Sequence, residues 1–560
     1  MTMTTFTKFL LAFVIIATTF SIKGLCAPNS DSVCIESERQ ALLRFKQHLK
    51  DPSNRLLSWT IQEDCCKWAG VVCNNLNGHV QKLHLRASPR PRPRPPRPLY
   101  DEEDLKLGGN INASLINLKH LRYLDLSNND FGGIRIPGFI GSLKSLRYLN
   151  LSCAGFEGVV PHQLGNLSSL RYLILRDLIS YYYYYYNHNS LRSGENVEWL
   201  SGLALLQHLD MSGVNLTRTY NWLQVMNALP CLVELHLSYS SLTHFDPLPS
   251  VNFTSLRVLD ISRNSVSSLL RDWFFSIKGL TSLNLRDNSL RGPIPSGLLN
   301  MSSTLVHLDL SENYLNSTIP TWLYSFKRLE SVDLGLTSLQ GVISSAFGNM
   351  TSLIDIHLPA NQLEGKIPSE LQNLCNLKAI VLGGNRFSGE VSQVFKSLSV
   401  CAIYALESLS LYSNQLSGHL TDQLGQFKSL RFLCLSSNLI SGTIPENLGH
   451  LSKLEVLSIG DNLLEGVVSE VHFASLANLK DLFASSNSLT LQLSPNWIPP
   501  FQLIRIDLSS LRVGPEFKRF EFIDFAVESK KKFHTWNYPP LVYPTRFPLG
   551  FGTCLPTPIM

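Results

Sequence analysis

The sequence predicts an α/β solenoid: a superhelix of stacked units with a parallel sheet on its concave side and short helical returns outside. Three observations predict it. The stretch "LSKLEVLSIGDNLLEGVV" (451–468) restates "FKSLRFLCLSSNLISGTIP" (427–445) at an offset of 24 residues. The leucine that opens each LxxLxL recurs at Leu121, Leu146, Leu170, Leu206, Leu232, Leu256, Leu280, Leu305, Leu329, Leu353, Leu377, Leu406, Leu430, Leu454, Leu479 and Leu503. Most steps are 24 or 25 residues; the longest are 36 before Leu206 and 29 before Leu406. A weaker copy, "VQKLHL" (80–85), brings the array to about 17 units. Finally, 560 residues exceed what one compact core can organise.

The elements follow in chain order. Residues 1–27 carry Lys8, the apolar run "FLLAFVIIATTF" and then small residues, the build of a signal peptide cleaved near Cys26 or Ala27. No later run of about 18–20 apolar residues suggests a membrane span. Residues 28–78 form a cap, in which Ala41, Leu42, Leu43 and Phe45 have the spacing of an amphipathic helix. The repeats occupy 79–517, interrupted by low-complexity insertions at 87–104 ("RASPRPRPRPPRPLYDEED" spans it) and 178–196 (with "YYYYYYNHNS"). A non-repeat tail fills 518–560.

Within a unit such as "LRFLCLSSNLISGTIP", Leu430, Leu433 and Leu435 face inward from a strand and its approach. Asn438 sits at the turn, where a buried amide must bond neighbouring backbone, because an unpaired polar group costs about 1–3 kcal/mol. Stacked units then make an asparagine ladder of Asn129, Asn264, Asn288, Asn313, Asn361, Asn385, Asn414, Asn438, Asn462 and Asn487. Ile440 and Ile444 fill the slice, Gly442 relaxes the backbone, and Pro445 precedes a short helical return through "ENLGHL".

These motifs resemble the plant extracellular leucine-rich repeat, LxxLxxLxLxxNxLxGxIPxxLGxL, with the second half intact in "GPIP" (292–295), "GKIP" (365–368) and "GTIP" (442–445). "CIESERQALLRFKQHLKDPSNRLLSWTIQEDCCKWAGVVC" (34–73) resembles the N-terminal cap of that family. Together they are similar to plant leucine-rich-repeat receptor-like proteins, kinase-less cell-surface immune receptors of the fungal-elicitor-receptor-like group, apparently truncated before the transmembrane helix. The resemblance implies the pairing Cys34 with Cys65 and Cys66 with Cys73. Zinc is the competing use of these thiols, but adjacent Cys-Cys lacks CxxC arms. The other six cysteines (Cys153, Cys231, Cys375, Cys401, Cys434 and Cys554) are scattered, and most read as buried free thiols.

Charged residues make up 16% and the net charge is +5, with no basic face or motif to suggest nucleic acid. No kinase set, GxSxG elbow or HExxH is present, so catalytic, cofactor and metal residues are all expected to be absent. Asp125, Asp210, Asp260 and Asp309 mark a repeat position, and the strand histidines read as surface residues. What remains is a surface: about 17 strands spaced ~4.8 Å give an arc of roughly 80 Å, ample for an interface of ~800 Å² per partner. Expected contacts are His307, Asp309, Glu312, Glu330, Asp333, Asp355, His357, Lys378, Ser408, Ser410, Tyr412, Arg431 and Phe432. Sequons at Asn112, Asn150, Asn166, Asn215, Asn252, Asn300, Asn316 and Asn349 mark glycosylation of an extracellular chain; Asn150 and Asn316 lie nearer the strands than the rest.

The resemblance implies a non-catalytic binding protein, secreted or at the cell surface. It would recognise microbial elicitors or peptides in plant defence signalling. The concave face would take a protein, peptide or oligosaccharide, with co-receptor leucine-rich-repeat kinases as further partners. The alternative is a secreted inhibitor of microbial cell-wall hydrolases, similar to polygalacturonase inhibitors, or a soluble decoy. A structural wall protein and an enzyme rank below these.

Overall fold

The computed structural model describes residues 33–87, 105–177, 191–243, 245–266 and 274–513. The signal peptide, the C-terminal tail, nearly all of the first insertion and the tyrosine run of the second lie outside them.

One sheet of 18 short strands runs from Val71–Cys73 to Arg505–Asp507. Val71–Cys73 pairs antiparallel with Val80–His84, and every later pairing is parallel. The sheet is open, since Val71–Cys73 and Arg505–Asp507 each have one neighbour among the described residues. The register sets leucine on leucine, as Leu209 on Leu235 and Leu433 on Leu457. That register follows from the period-two geometry of a strand: a slip by one would turn every buried leucine to the opposite face. Leu430, Leu433 and Leu435 are fully buried, and Ile440 and Ile444 nearly so. A continuous core joins all units.

The ladder forms. Asn438 Nδ2 donates to the carbonyls of Leu411, Leu435 and Ser436 at 3.0–3.2 Å, and its Oδ1 accepts the Leu416 N–H at 3.0 Å. Leu411 and Leu416 belong to the preceding unit, so each amide spans two units. Asn462 repeats the pattern one unit on. Where the pattern lacks asparagine, shorter groups do part of the job: Ser240 Oγ donates to Met211 O, and Thr337 Oγ1 to Leu334 O.

After the turn, the GxIP half forms a second set of parallel strands beside the main sheet. Gln340–Val342, Gln362–Lys366, Arg386–Glu390 and Gln415–Ser417 make one group, and Ser441–Gly442, Leu463–Val468, Ser488–Leu491 and Arg512–Val513 another. Gly442 has φ +76, and a Cβ there would lie 2.5 Å from the His419 ring. The return "ENLGH" is a 3₁₀ turn, Glu446–His450, as are most outer returns. The 29-residue step accommodates an α-helix, Val391–Leu398.

At the N-terminus, helix Glu36–Gln47 buries Ala41, Leu42 and Phe45. Trp59 stacks on Trp68 with ring centroids 5.4 Å apart. The buried Glu38 accepts the Val80 N–H at 2.7 Å, tying cap to first strand. Arg55 donates to Asn129 Oδ1 and to the carbonyls of Leu85, Arg86 and Leu105. Disulfides join Cys34 to Cys65 and Cys66 to Cys73. The expectation for the later cysteines needs correction. Cys375 is bonded to Cys401 and Cys153 is also disulfide-bonded; among the described residues only Cys231 and Cys434 are free. The reason for the first is local: the inserted helix brings the outer returns of two successive units together, so cysteines 26 residues apart meet.

Candidate ligand-binding face

In each unit the two residues flanking the central strand leucine share the exposed side of the sheet, because side chains alternate. The position after that leucine is often Asp or Asn, for a local reason. Its side-chain oxygen accepts the N–H two residues on: Asp125 from Ser127, Asp210 from Ser212, Asp260 from Ser262 and Asp309 from Ser311, at 2.9–3.0 Å. These aspartates bind the strand exit, an Asx-type bond that fixes the chain's departure from the sheet.

The predicted central contacts divide accordingly. Asp309, Asp333, Asp355, His357, Ser410 and Tyr412 are buried, which corrects their assignment as surface contacts. Their side chains lie against neighbouring units, not solvent. His307, Glu312, Glu330, Lys378, Ser408, Arg431 and Phe432 are half-buried on the face. Several already spend their charge within the array. Arg286 pairs with Glu312, and Arg431 pairs with Glu455 while lying 5.3 Å from the Phe432 ring centre. Burial and the neighbouring Asp333 push Asp309 up to about 7, and burial pushes Asp333 up to about 6. Burial pushes His357 down to about 4.

The face has a second concentration, in the first units, which sequence reasoning missed. Tyr123, Tyr148, Tyr172 and His208 occupy one register position on successive strands. Tyr123 stacks on Tyr148 at 4.2 Å and 7°, Tyr148 lies 5.9 Å from Tyr172, and Tyr172 lies 5.9 Å from His208. His84 extends the row at one end. Tyr123 Oη donates to Asp125, and Asn150 Nδ2 to Tyr148 Oη, so the rings are propped from below. Arg122, Arg147 and Arg171, each one residue ahead of a tyrosine of the row, are exposed. The signal was present in the spelling "LRYLDL", "LRYLNL", "LRYLIL", where the variable positions repeat as faithfully as the leucines.

Next in line, His208 Nδ1 lies 2.8 Å and His236 Nε2 3.7 Å from Glu234 Oε2. Hydrogen bonding by His208 and then His236 holds Glu234 well below the usual carboxylate range. Burial would lower His236, but the Asp260 and Glu234 carboxylates beside it outweigh that and push it up to about 10. His208 is buried, contrary to its reading as a surface residue.

Of the sequons, Asn166, Asn215, Asn252, Asn300, Asn316 and Asn349 are exposed, and Asn112 is half-buried. Asn150 is 3% exposed on the sheet, with its Oδ1 accepting from Ser152, which leaves no space for a sugar.

A leucine rich repeat N-terminal domain matches residues 35–74, and leucine rich repeats match 119–177, 230–290, 304–326 and 429–451. Receptor-like proteins EIX1 and EIX2 of Solanum lycopersicum are each 34% identical over 300 and 305 residues, 51% and 48% of this chain. The matched regions cover 26% and 28% of those relatives, so the chain spans about a quarter of their length. Among solved structures, the Arabidopsis receptor kinase HAESA in complex with the peptide hormone IDA and the co-receptor SERK1 is 26% identical, with TM-score 0.63, over 86% of this chain and 82% of that one. The PEPR1–AtPEP1 structure is 26% identical with TM-score 0.55, over 86% and 69%. Among the described residues no helix is long and apolar enough to cross a membrane. The chain thus carries a leucine rich repeat N-terminal domain followed by leucine rich repeats, and it is similar to receptor-like proteins of plants.

Proposed function

We propose that the chain is the ligand-recognising part of a non-catalytic extracellular receptor, acting in plant defence by binding an extended peptide or related microbial elicitor on the concave face. One observation carries this reading: the tyrosine row flanked by Arg122, Arg147 and Arg171. Aromatic side chains supply large contact area at low entropic cost, and arginine pairs with carboxylates in a fixed fork. The row crosses successive strands, so its occupant lies across the units and carries acidic groups. The HAESA structure, which shares the fold, holds the peptide hormone IDA, which supports a peptide as occupant. The glycan acceptors that are exposed sit mostly on outer returns and leave this face clear.

The test is binding of the secreted chain to fractionated microbial extracts and synthetic acidic peptides, with purified pectinases in parallel. Tyr148→Ala is expected to weaken capture by at least about 1–2 kcal/mol, the scale of a hot-spot residue. Arg431→Ala should leave it unchanged. Selective binding of pectinases, insensitive to Tyr148, would move the protein to the hydrolase-inhibitor class.

A further inference from the structure

Beyond that reading, and independently of it, the geometry points to a divalent transition-metal site, suited to Zn²⁺, formed by His208, Glu234 and His236. The arrangement follows from the strands. Glu234 and His236 are two residues apart on strand Glu234–His236, so both project to the same face. His208 stands directly opposite Glu234 on the adjoining parallel strand. The two imidazole nitrogens and the carboxylate oxygen all lie within 4.8 Å of one another. Zinc binds such ligands at about 2.0–2.2 Å, and two imidazoles with one carboxylate is a familiar three-ligand set with an open fourth position.

The surroundings suit a ligand set more than three stray side chains. Asp260 Oδ1 accepts from the Ser262 N–H and Oγ at 3.0 and 2.7 Å, which fixes the carboxylate. Its other oxygen, Oδ2, lies 4.0 Å from His236 Nδ1, behind the nitrogen that faces Glu234. A carboxylate behind a ligating histidine orients the ring and raises its basicity. Tyr172 packs against the His208 ring from the preceding strand. The His208 and His236 side chains are 7% and 13% exposed, whereas Glu234 is 40% exposed, so the cluster is reached from solvent on the Glu234 side. Among the described residues the other cluster of suitable residue types, Cys34, Cys65, Cys66 and Cys73, has its sulfurs in disulfides.

The experiment uses the full secreted chain, stripped with chelator and titrated with Zn²⁺ by calorimetry, and with Co²⁺ for its visible spectrum. The expected result is one saturable site with the absorption of a low-coordinate nitrogen–oxygen cobalt centre. His236→Ala should abolish it. Asp260→Asn, which leaves all three ligands, should weaken it about 10–100-fold with an unchanged circular dichroism spectrum. Absence of saturable binding by the native chain overturns the proposal. So does a site that survives both His236→Ala and Glu234→Gln, since the metal would then sit elsewhere.

Discussion

Asn438 illustrates how much one side chain can carry when its partners lie in two units. Asn438→Ala removes the acceptor of the Leu416 N–H and the donor to three carbonyls. Each buried group left unpaired costs about 1–3 kcal/mol. Hydrogen exchange should show Leu416 losing protection although it lies 22 residues away. Unchanged protection there would mean that the rung is dispensable. Asp309 and Asp333 give a second residue-scale expectation. Both are raised in the fold, to about 7 and about 6, so the folded state binds more protons than the unfolded chain between about pH 4 and pH 7. Their contribution is full below that window and is lost as pH rises through it. His357, pushed down to about 4, opposes them, because neutral imidazole is favoured by the fold and stability is lost as pH falls. The two carboxylates are opposed by His357 and by His307, which burial also lowers, and strands His307–Asp309 and Ser331–Asp333 should be better protected at about pH 5 than at about pH 8. In Asp309→Asn/Asp333→Asn the trend should reverse, since His307 and His357, both lowered by burial, then remain without the carboxylates that oppose them.

At the scale of elements, the N-terminal cap is what closes the first coil. Helix Glu36–Gln47, the stacked Trp59 and Trp68 and the two disulfides form a unit tied to the array by Glu38 and Arg55. Replacing Cys34 and Cys65 by serine should cost about 2–4 kcal/mol, read as a lower Tm with early aggregation as the first core layer opens. A native-like melting curve would show that the hydrogen bonds of Glu38 and Arg55 suffice. Elements were also where the sequence was most readable. The leucine period fixes strand, register and buried face, because packing requires the same residue at the same depth in every unit. The cap helix was legible from Ala41, Leu42 and Phe45. The bridge between Cys375 and Cys401 was not, since it depends on the inserted helix Val391–Leu398, whose length no repeat period announces.

The whole molecule has a legible scaffold and a much less legible face. Leucines repeat because they are held by geometry; residues on the open face are free of it, so no spacing rule distinguishes a contact from a strut. Asp309 and Asp333 illustrate the trap: polar, periodic and on the correct side, yet buried at the strand exits. Tyr123, Tyr148 and Tyr172 were overlooked for the opposite reason, since aromatic strand residues ordinarily signify packing. Their repeated spelling reads as packing until the stacking in three dimensions shows a row on the open face. The shared rungs have a consequence for descent as well. Because most junctions between units use the same amide and carbonyls, a segment of 24 residues can be copied or deleted and the cut ends still find their customary neighbours. A splice that misses by one residue turns the leucines outward and is discarded. Chains built this way can change length through unequal recombination without passing through an unfolded ancestor.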